Sequence, residues 1–167
     1  AASFLAFCRD RRVTVADLPT AYWHQLTSAL EAEDLRMGPP LRLLILGGER
    51  ALPEKLAAFE GRMDPALRLL NTYGPTETTI AVTAGQLPWG TAAGLAGREV
   101  PIGRPYPHVR VRVLDPAGEP APPGFPGELH VGGAAPARGY LGRPGLTAAS
   151  FIPDRYSGVP GARLYRT

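Results

Sequence analysis

The sequence contains a single lysine, Lys55, beside 17 arginines, and a single cysteine, Cys8. One cysteine cannot form an intramolecular disulfide, so nothing in the cysteine content indicates an oxidising compartment. No apolar run approaches the roughly 20 residues that span a bilayer, and no signal peptide is visible. We therefore expect a cytoplasmic protein that has no membrane partner.

Several kinds of functional motif are also missing. The net charge is +3, and the sequence has no block of residues of like charge. This argues against a nucleic-acid partner, which usually requires a clustered basic surface. No G-x-x-x-x-G-K-[ST] loop, G-x-G-x-x-G turn or G-x-S-x-G serine is present. The three histidines, His24, His108 and His130, lack the spacing of a metal site, so structural roles are expected for them.

Strand and helix patterns alternate through the first hundred residues. The segments "RVTVADLP", "LRLLILGG" and "ALRLLNTYG" have strand patterns, and "PTAYWHQLTSALEAED" and "LPEKLAAFEGR" between them have helix patterns. Thr20 is predicted to be the N-cap of the first of these helices. The unbroken apolar run "LRLLILGG" predicts a strand that is buried on both faces. This order predicts right-handed βαβ crossovers and a parallel sheet.

The pattern changes near residue 100. Twelve of the 19 prolines lie in residues 101–167. "HVRVRVLD" alternates strictly, which predicts a strand with one wet face, and "GELHVGG" predicts an antiparallel partner. The predicted fold class is α/β: a parallel-sheet βαβ subdomain over residues 1–100, then a smaller antiparallel, barrel-like β portion over residues 101–167.

The stretch "NTYGPTETTI", residues 71–80, follows the last strand of the predicted parallel sheet, where ligands bind in α/β folds. Gly74 lets the backbone approach a partner closely, and Tyr73 offers a flat face for a planar ring. Thr76 offers a hydroxyl, and Glu77 offers a carboxylate suited to a hard cation such as Mg²⁺. From the residues alone, a magnesium–nucleotide site and an ordinary turn between strands both remain open.

Two further stretches are less specific by themselves. "LGGER" places the glycine pair Gly47 and Gly48 at a strand end, where it predicts either a pocket floor or a tight turn into the next helix. "GGAAPARGYLGRPG" holds Arg138 and Tyr140 between turn residues, and alone it indicates little.

Together, these stretches resemble the motifs of one family, in order along essentially the whole chain. "NTYGPTE" resembles the core motif of adenylate-forming enzymes, specifically the amino-acid adenylation domains of non-ribosomal peptide synthetases. "GELHVGGAAPARGYLGRPGLTAASF" is similar to that family's next motif, GELxIxGxGxARGYxxRPxLTxxxF, and "LYRT" to the start of Y-R-T-G-D. "LRLLILGGERAL" and "VPIGRPYPHVRVRVLD" match the segments between. The departures are Ala135, where the family has glycine, and Pro136, where it has an apolar residue.

The resemblance implies activation of an amino acid by ATP, with release of pyrophosphate and transfer of the acyl group to the phosphopantetheine thiol of a peptidyl carrier protein. Such enzymes serve bacterial secondary-metabolite and antibiotic biosynthesis. Thr76 and Glu77 would be catalytic: Thr76 would bond the α-phosphate and Glu77 would ligate Mg²⁺. The implied nucleotide-binding residues are Gly47, Gly48, Asn71, Tyr73, Gly74 and Thr76. Among them, Asn71, Tyr73 and Gly74 would form the adenine side, with Tyr73 stacking on the base.

The resemblance also implies an amino-acid pocket. Its lining would include Asp17, Ile45, Gly47, Thr72, Ile80 and Ala81. An unpaired carboxylate in a pocket is costly, so Asp17 would favour a polar or cationic substrate side chain.

The resemblance further indicates that the chain is an internal fragment. Neither the upstream phosphate loop nor the small C-terminal domain with its catalytic lysine is present, and residues 101–167 would be a truncated subdomain. We therefore expect the isolated chain to be inactive and the rest of the domain to be its partner. Two alternatives are a non-catalytic subdomain and a fragment of a stand-alone aryl- or fatty-acyl ligase.

Overall fold

The computed structural model describes residues 1–167, which form two compact units. The first unit comprises residues 1–73 and 84–103, and the second comprises residues 74–83 and 104–167. The chain therefore leaves the first unit directly after Tyr73, enters the second for one short loop, and returns. The division at residue 100, with the roles given to its two parts, stays a prediction.

The first unit is a sheet flanked by helices. Strands β1 to β4 lie in chain order across this sheet, and β1, β2 and β3 are parallel. The register places Asp17 beside Ile45 and Ile45 beside Leu70. The predicted parallel α/β fold is confirmed. The elements are α1 (Ala2–Asp10), β1 (Val15–Pro19), α2 (Thr20–Ala32), β2 (Leu43–Gly47), α3 (Pro53–Glu60), β3 (Arg68–Tyr73), β4 (Thr83–Leu87) and α4 (Thr91–Leu95).

The hydrophobic core of the first unit covers one face of the sheet. Trp23 of α2 meets Phe59 of α3 edge-on, with 5.6 Å between ring centroids, and both side chains are fully buried. Leu44 and Leu46 of β2 join the same core. Their neighbour Ile45 points to the other face and is only half-buried. The expectation that β2 is buried on both faces is therefore wrong, because successive side chains alternate between faces and this core covers only one.

The start of α2 also differs from the prediction. The N-cap of α2 is Pro19, and Thr20 is the first helical residue. The Thr20 hydroxyl donates to the carbonyl oxygen of Gly47, at 3.1 Å, and does not cap the helix. This buried hydroxyl therefore ties the start of α2 to the end of β2, where the glycine pair lies.

The second unit contains a four-stranded sheet in the order β6-β7-β9-β8, with antiparallel pairing at every step. The predicted antiparallel pairing of "HVRVRVLD" with "GELHVGG" is confirmed. The single wet face is not maintained, because Val113 is 39% exposed while Arg112 is half-buried against the ring of Tyr156. The elements are a 3₁₀ turn (Thr76–Thr78), β5 (Arg104–Pro105), β6 (Val109–Leu114), β7 (Glu128–Gly133), α5 (Pro144–Ser150), β8 (Phe151–Pro153) and β9 (Arg163–Arg166).

None of the helices has both the length and the apolar character required to traverse a bilayer.

Candidate functional site

Four of the predicted amino-acid pocket residues lie on the face of the first unit's sheet that is opposite the hydrophobic core. Asp17 of β1 is in register with Ile45 of β2, and Pro19 is in register with Gly47. Thr72 of β3 lies beside Gly47. Asp17 is exposed, and the other three are half-buried. The structure thus brings Asp17, Ile45, Gly47 and Thr72 to one accessible surface.

The backbone geometry at the end of β2 explains why glycine occupies positions 47 and 48. The Thr72 hydroxyl donates to the carbonyl oxygen of Leu46 at 2.7 Å. A Cβ atom at position 47 would lie only 2.5 Å from that hydroxyl oxygen, so glycine allows the two strands to keep this contact. Gly48 has a φ of +89°, and a Cβ atom there would meet nothing within 4 Å. The surface beside Thr72 is therefore a floor of backbone.

Asn71 and Tyr73 end β3, and both were predicted to face the adenine of a nucleotide. Asn71 is 3% exposed, and its side-chain nitrogen donates to the carbonyl oxygen of Pro101 at 2.9 Å. This bond anchors the segment after α4, a structural role that local sequence patterns did not indicate. Tyr73 is half-buried. The adenine-facing roles of both residues stay predictions.

Residues 74–82 form a tight loop in the second unit. A Cβ atom on Gly74 would meet the backbone of Ile80, Ala81 and Val82, at 2.8 Å from the Val82 nitrogen. Thr79 and Ile80 adopt left-handed conformations, with φ of 62° and 72°. Such conformations of β-branched residues cost about 1–3 kcal/mol each and cluster at functional sites. The loop therefore has a defined backbone shape that its own residue types disfavour.

A second segment of the same unit holds this loop. The Ala137 amide donates to the Glu77 carbonyl oxygen at 2.7 Å, and the Thr79 hydroxyl donates to the Ala135 carbonyl oxygen at 2.9 Å. The Tyr140 hydroxyl donates to Oε1 of Glu77 at 2.7 Å. The two strongest motifs of the sequence, 63 residues apart at Glu77 and Tyr140, therefore meet through hydrogen bonds.

The surroundings of Glu77 favour its charged form. The hydrogen bond from Tyr140 is the main cause that lowers the pKa of Glu77 below its usual value, followed by a backbone hydrogen bond. Burial is the main cause that raises the pKa of the neighbouring Tyr165, which therefore stays a neutral hydroxyl. Glu77 is thus an ionised, half-buried carboxylate at neutral pH.

The donor set of the loop fits Mg²⁺ and phosphate. Glu77 is a hard oxygen ligand, and the side chain of Thr76 beside it is exposed. This chain has no cluster of three or more His, Cys, Asp or Glu side chains that could hold a metal ion. Mg²⁺ in nucleotide sites typically uses one or two carboxylates and takes its other ligands from phosphate and water. Of the two remaining predicted pocket residues, Ile80 is 76% exposed and Ala81 is half-buried.

The comparison with protein families agrees with these features. The family model described as AMP-binding enzyme matches residues 1–141. The chain is 50% identical over 127 residues to CymA, a probable non-canonical nonribosomal peptide synthetase of Salinispora arenicola (strain CNS-205). The matched residues are 76% of this chain and 2% of that protein. It is 41% identical over 167 residues to a dimodular nonribosomal peptide synthase of Bacillus subtilis (strain 168), with 99% of this chain and 7% of that protein covered.

A solved structure shows the same architecture. NpsA-ThdA of Klebsiella oxytoca, an artificially fused adenylation–PCP di-domain, matches with a TM-score of 0.81 and 26% identity. The match covers 99% of this chain and 29% of the fused chain. The chain thus spans a small part of each protein that it resembles. We conclude that it belongs to the AMP-binding enzyme family and is a fragment of an adenylation domain of the non-ribosomal peptide synthetase type.

Proposed function

We propose that this segment contributes the central part of an ATP-dependent amino-acid-activating site. The domain would form an aminoacyl adenylate and pyrophosphate, then pass the acyl group to the phosphopantetheine thiol of a peptidyl carrier protein. The observation that carries this proposal is the ionised Glu77 on a loop whose shape is fixed by Gly74 and by the segment at 135–140. A carboxylate held in this way suits a site where phosphate charge must be offset.

The first unit would bind the amino acid and part of the nucleotide. The backbone at Gly48 leaves room for a flat or bulky group, because a Cβ atom there would meet nothing within 4 Å, while Gly47 beside it makes room for the Thr72 hydroxyl. Thr72 would border the amino acid through its methyl group, since its hydroxyl is bonded to Leu46. Asn71 and Tyr73 would form the adenine side, with the Tyr73 ring stacking on the base.

The second unit would bind the phosphates. Thr76 would donate its exposed hydroxyl to an α-phosphate oxygen, and Glu77 would ligate Mg²⁺. A magnesium ion bound there would neutralise phosphate charge as the substrate carboxylate attacks. Ile80 and Ala81, later in the same loop, would border the amino acid. One short loop would therefore contribute residues to the binding of both substrates.

The partners follow from the reaction. The amino acid and ATP are the small-molecule substrates, the carrier-protein domain accepts the acyl group, and the remainder of the adenylation domain completes the site. We expect a bacterial, cytoplasmic enzyme. The stand-alone acyl or aryl ligase finds no support, since the relatives named above are peptide synthetases.

The test is amino-acid-dependent ATP–pyrophosphate exchange by the complete adenylation domain that carries this segment. Glu77→Gln should lower exchange by about 100-fold, in the range seen when metal-site or transition-state contacts are lost. Glu119→Gln is the matched control, because Glu119 is an exposed carboxylate of the same unit that pairs with Arg155. Exchange unchanged in the Glu77 variant would contradict the proposal.

A second arm tests the isolated 167-residue chain. We expect it to show no exchange with any amino acid, because only part of the residues that hold the phosphates is present. Robust exchange by the isolated chain would overturn the interpretation of this segment as one part of a larger site.

A further inference from the structure

Glu77 lies on an element that cannot orient its side chain alone. The 3₁₀ turn has only three residues, Thr76–Thr78, and Thr79 and Ile80 directly after it are left-handed. A glutamate side chain on so short an element has many rotamers of similar energy, so a single orientation requires contacts from elsewhere in the fold. The structure provides such a contact in the Tyr140 hydroxyl, at 2.7 Å from Oε1, and the Tyr165 hydroxyl also interacts with the Glu77 carboxylate, more weakly than Tyr140 does.

Tyr140 is itself fixed at both ends. Its backbone nitrogen donates to the hydroxyl of Thr147 in α5, at 2.9 Å. Its ring meets the ring of Phe151 edge-on, with 5.7 Å between centroids and an interplanar angle of 67°. Phe151 in turn packs on Tyr165 of β9, at 5.1 Å. The phenol therefore projects toward Glu77 from a packed aromatic cluster.

The backbone before Tyr140 is held by hydrogen bonds. The Arg163 guanidinium donates to the carbonyl oxygens of Ala137 and Arg138, each at 2.9 Å. The Ala137 amide donates to the Glu77 carbonyl oxygen at 2.7 Å. Residues 135–140, which we call the brace, thus hold both the backbone and the side chain of Glu77.

We propose that Tyr140 is a positioning residue that holds the Glu77 carboxylate in the orientation required for a divalent cation. This inference rests on the proposed function and extends it to a residue that has no metal or substrate contact of its own. A hydrogen bond to one carboxylate oxygen fixes the rotation of the group, and so presents the carboxylate to a cation without a search among rotamers. Contacts of this kind, one step removed from the metal, typically change metal affinity or activity by 10–100-fold.

The variant that isolates this effect is Tyr140→Phe in the complete adenylation domain. It removes the hydroxyl and keeps the ring that packs on Phe151. Tyr156→Phe is the matched control, because Tyr156 is a tyrosine of the same unit whose hydroxyl donates to Gly118 and contacts Glu119, away from Glu77. Thermal unfolding of all variants establishes that each is folded.

The primary measurement is the affinity of Mn²⁺ for the domain–ATP complex, followed by electron paramagnetic resonance. The Tyr140→Phe variant should bind Mn²⁺ about tenfold more weakly than the wild type, and Tyr156→Phe should match the wild type. The second measurement is pyrophosphate exchange as a function of Mg²⁺. The Tyr140→Phe variant should need about tenfold more Mg²⁺ for half-maximal exchange and should approach the wild-type kcat at saturation, which a merely structural defect would not allow.

The outcomes separate this inference from the proposed function. If Glu77→Gln weakens Mn²⁺ binding and Tyr140→Phe does not, the positioning role is overturned while the proposed function stands. If the wild-type domain shows no cation-dependent binding of ATP, the proposed function fails and the inference fails with it. If Tyr140→Phe lowers kcat equally at all Mg²⁺ concentrations, Tyr140 acts on something other than the cation and the inference is wrong.

Discussion

The predicted site residues fall into two parts, one in each unit, and these two parts are built in different ways. On the sheet face of the first unit, Asp17, Ile45 and Thr72 extend from regular parallel strands, and their accessible positions follow from the register alone. In the loop at 74–82, the backbone itself is unusual, with left-handed residues, a glycine packed on backbone, and hydrogen bonds from the brace. An exposed side chain on the sheet face, such as Asp17, can therefore change at little cost in stability, whereas a change at Gly74 would cost the loop its shape.

The largest effect that tests this difference is expected at Gly74. The Cβ atom of Gly74→Ala would collide with backbone atoms of Ile80, Ala81 and Val82, which cannot rotate away. We expect the free energy of unfolding, measured by urea denaturation, to fall by about 3 kcal/mol. Gly94→Ala in α4 is the control, because a Cβ atom there meets nothing within 4 Å and alanine favours helices. A Gly74→Ala variant as stable as the wild type would show that the loop tolerates substitution as well as the sheet face does, and would contradict the difference between the two parts.

A smaller effect is expected at Gly47, where the obstacle is a side chain. The Cβ atom of Gly47→Ala would lie 2.5 Å from the Thr72 hydroxyl, so Thr72 must rotate and lose its bond to Leu46. We expect a loss of about 1–3 kcal/mol in the same denaturation assay. Adding Thr72→Ala removes the colliding atom, so the double variant should be more stable than the sum of the single changes predicts. Strict additivity would show that the two residues are not coupled.

At Ile80 the expected effect is smaller and has the opposite sign. Ile80 is 76% exposed, so truncation removes little buried surface, and its φ of 72° strains a β-branched residue. Ile80→Gly should relieve about 1–2 kcal/mol of strain and add about 0.5–1 kcal/mol of chain entropy to the unfolded state. We expect a net stabilisation of roughly 0.5 kcal/mol. Val113→Gly, in the regular strand β6, should destabilise the protein, and a stabilising result there would contradict this explanation.

The difference between the two parts also explains what the sequence could predict. The alternation of apolar runs and helix patterns was sufficient for the parallel sheet, and the motif at 71–80 predicts Glu77 as a metal ligand, which stays a prediction. The contact of Tyr140 with Glu77 joins residues 63 apart, which no local periodicity encodes. Two left-handed β-branched residues in succession are also unexpected from propensity, because the brace and Gly74 impose them. The order and pairing of the strands were thus predictable, whereas the burial of the faces of β2 and β6 and the loop conformation required the structure.

The smallest effect on stability is expected at Asp17, where the change should appear in substrate choice. Asp17 is exposed on the edge strand β1, so Asp17→Asn should change the free energy of unfolding by less than about 0.5 kcal/mol. Pyrophosphate exchange by the wild-type domain should favour lysine, arginine or ornithine over leucine and phenylalanine. The variant should lose about fivefold of that preference, as expected for one exposed ion pair. Asp10→Asn, at the end of α1, serves as the control. If the wild-type domain catalysed exchange with leucine or phenylalanine but not with lysine, arginine or ornithine, Asp17 would not select the substrate side chain. The sheet face would then contribute only the shape of the pocket.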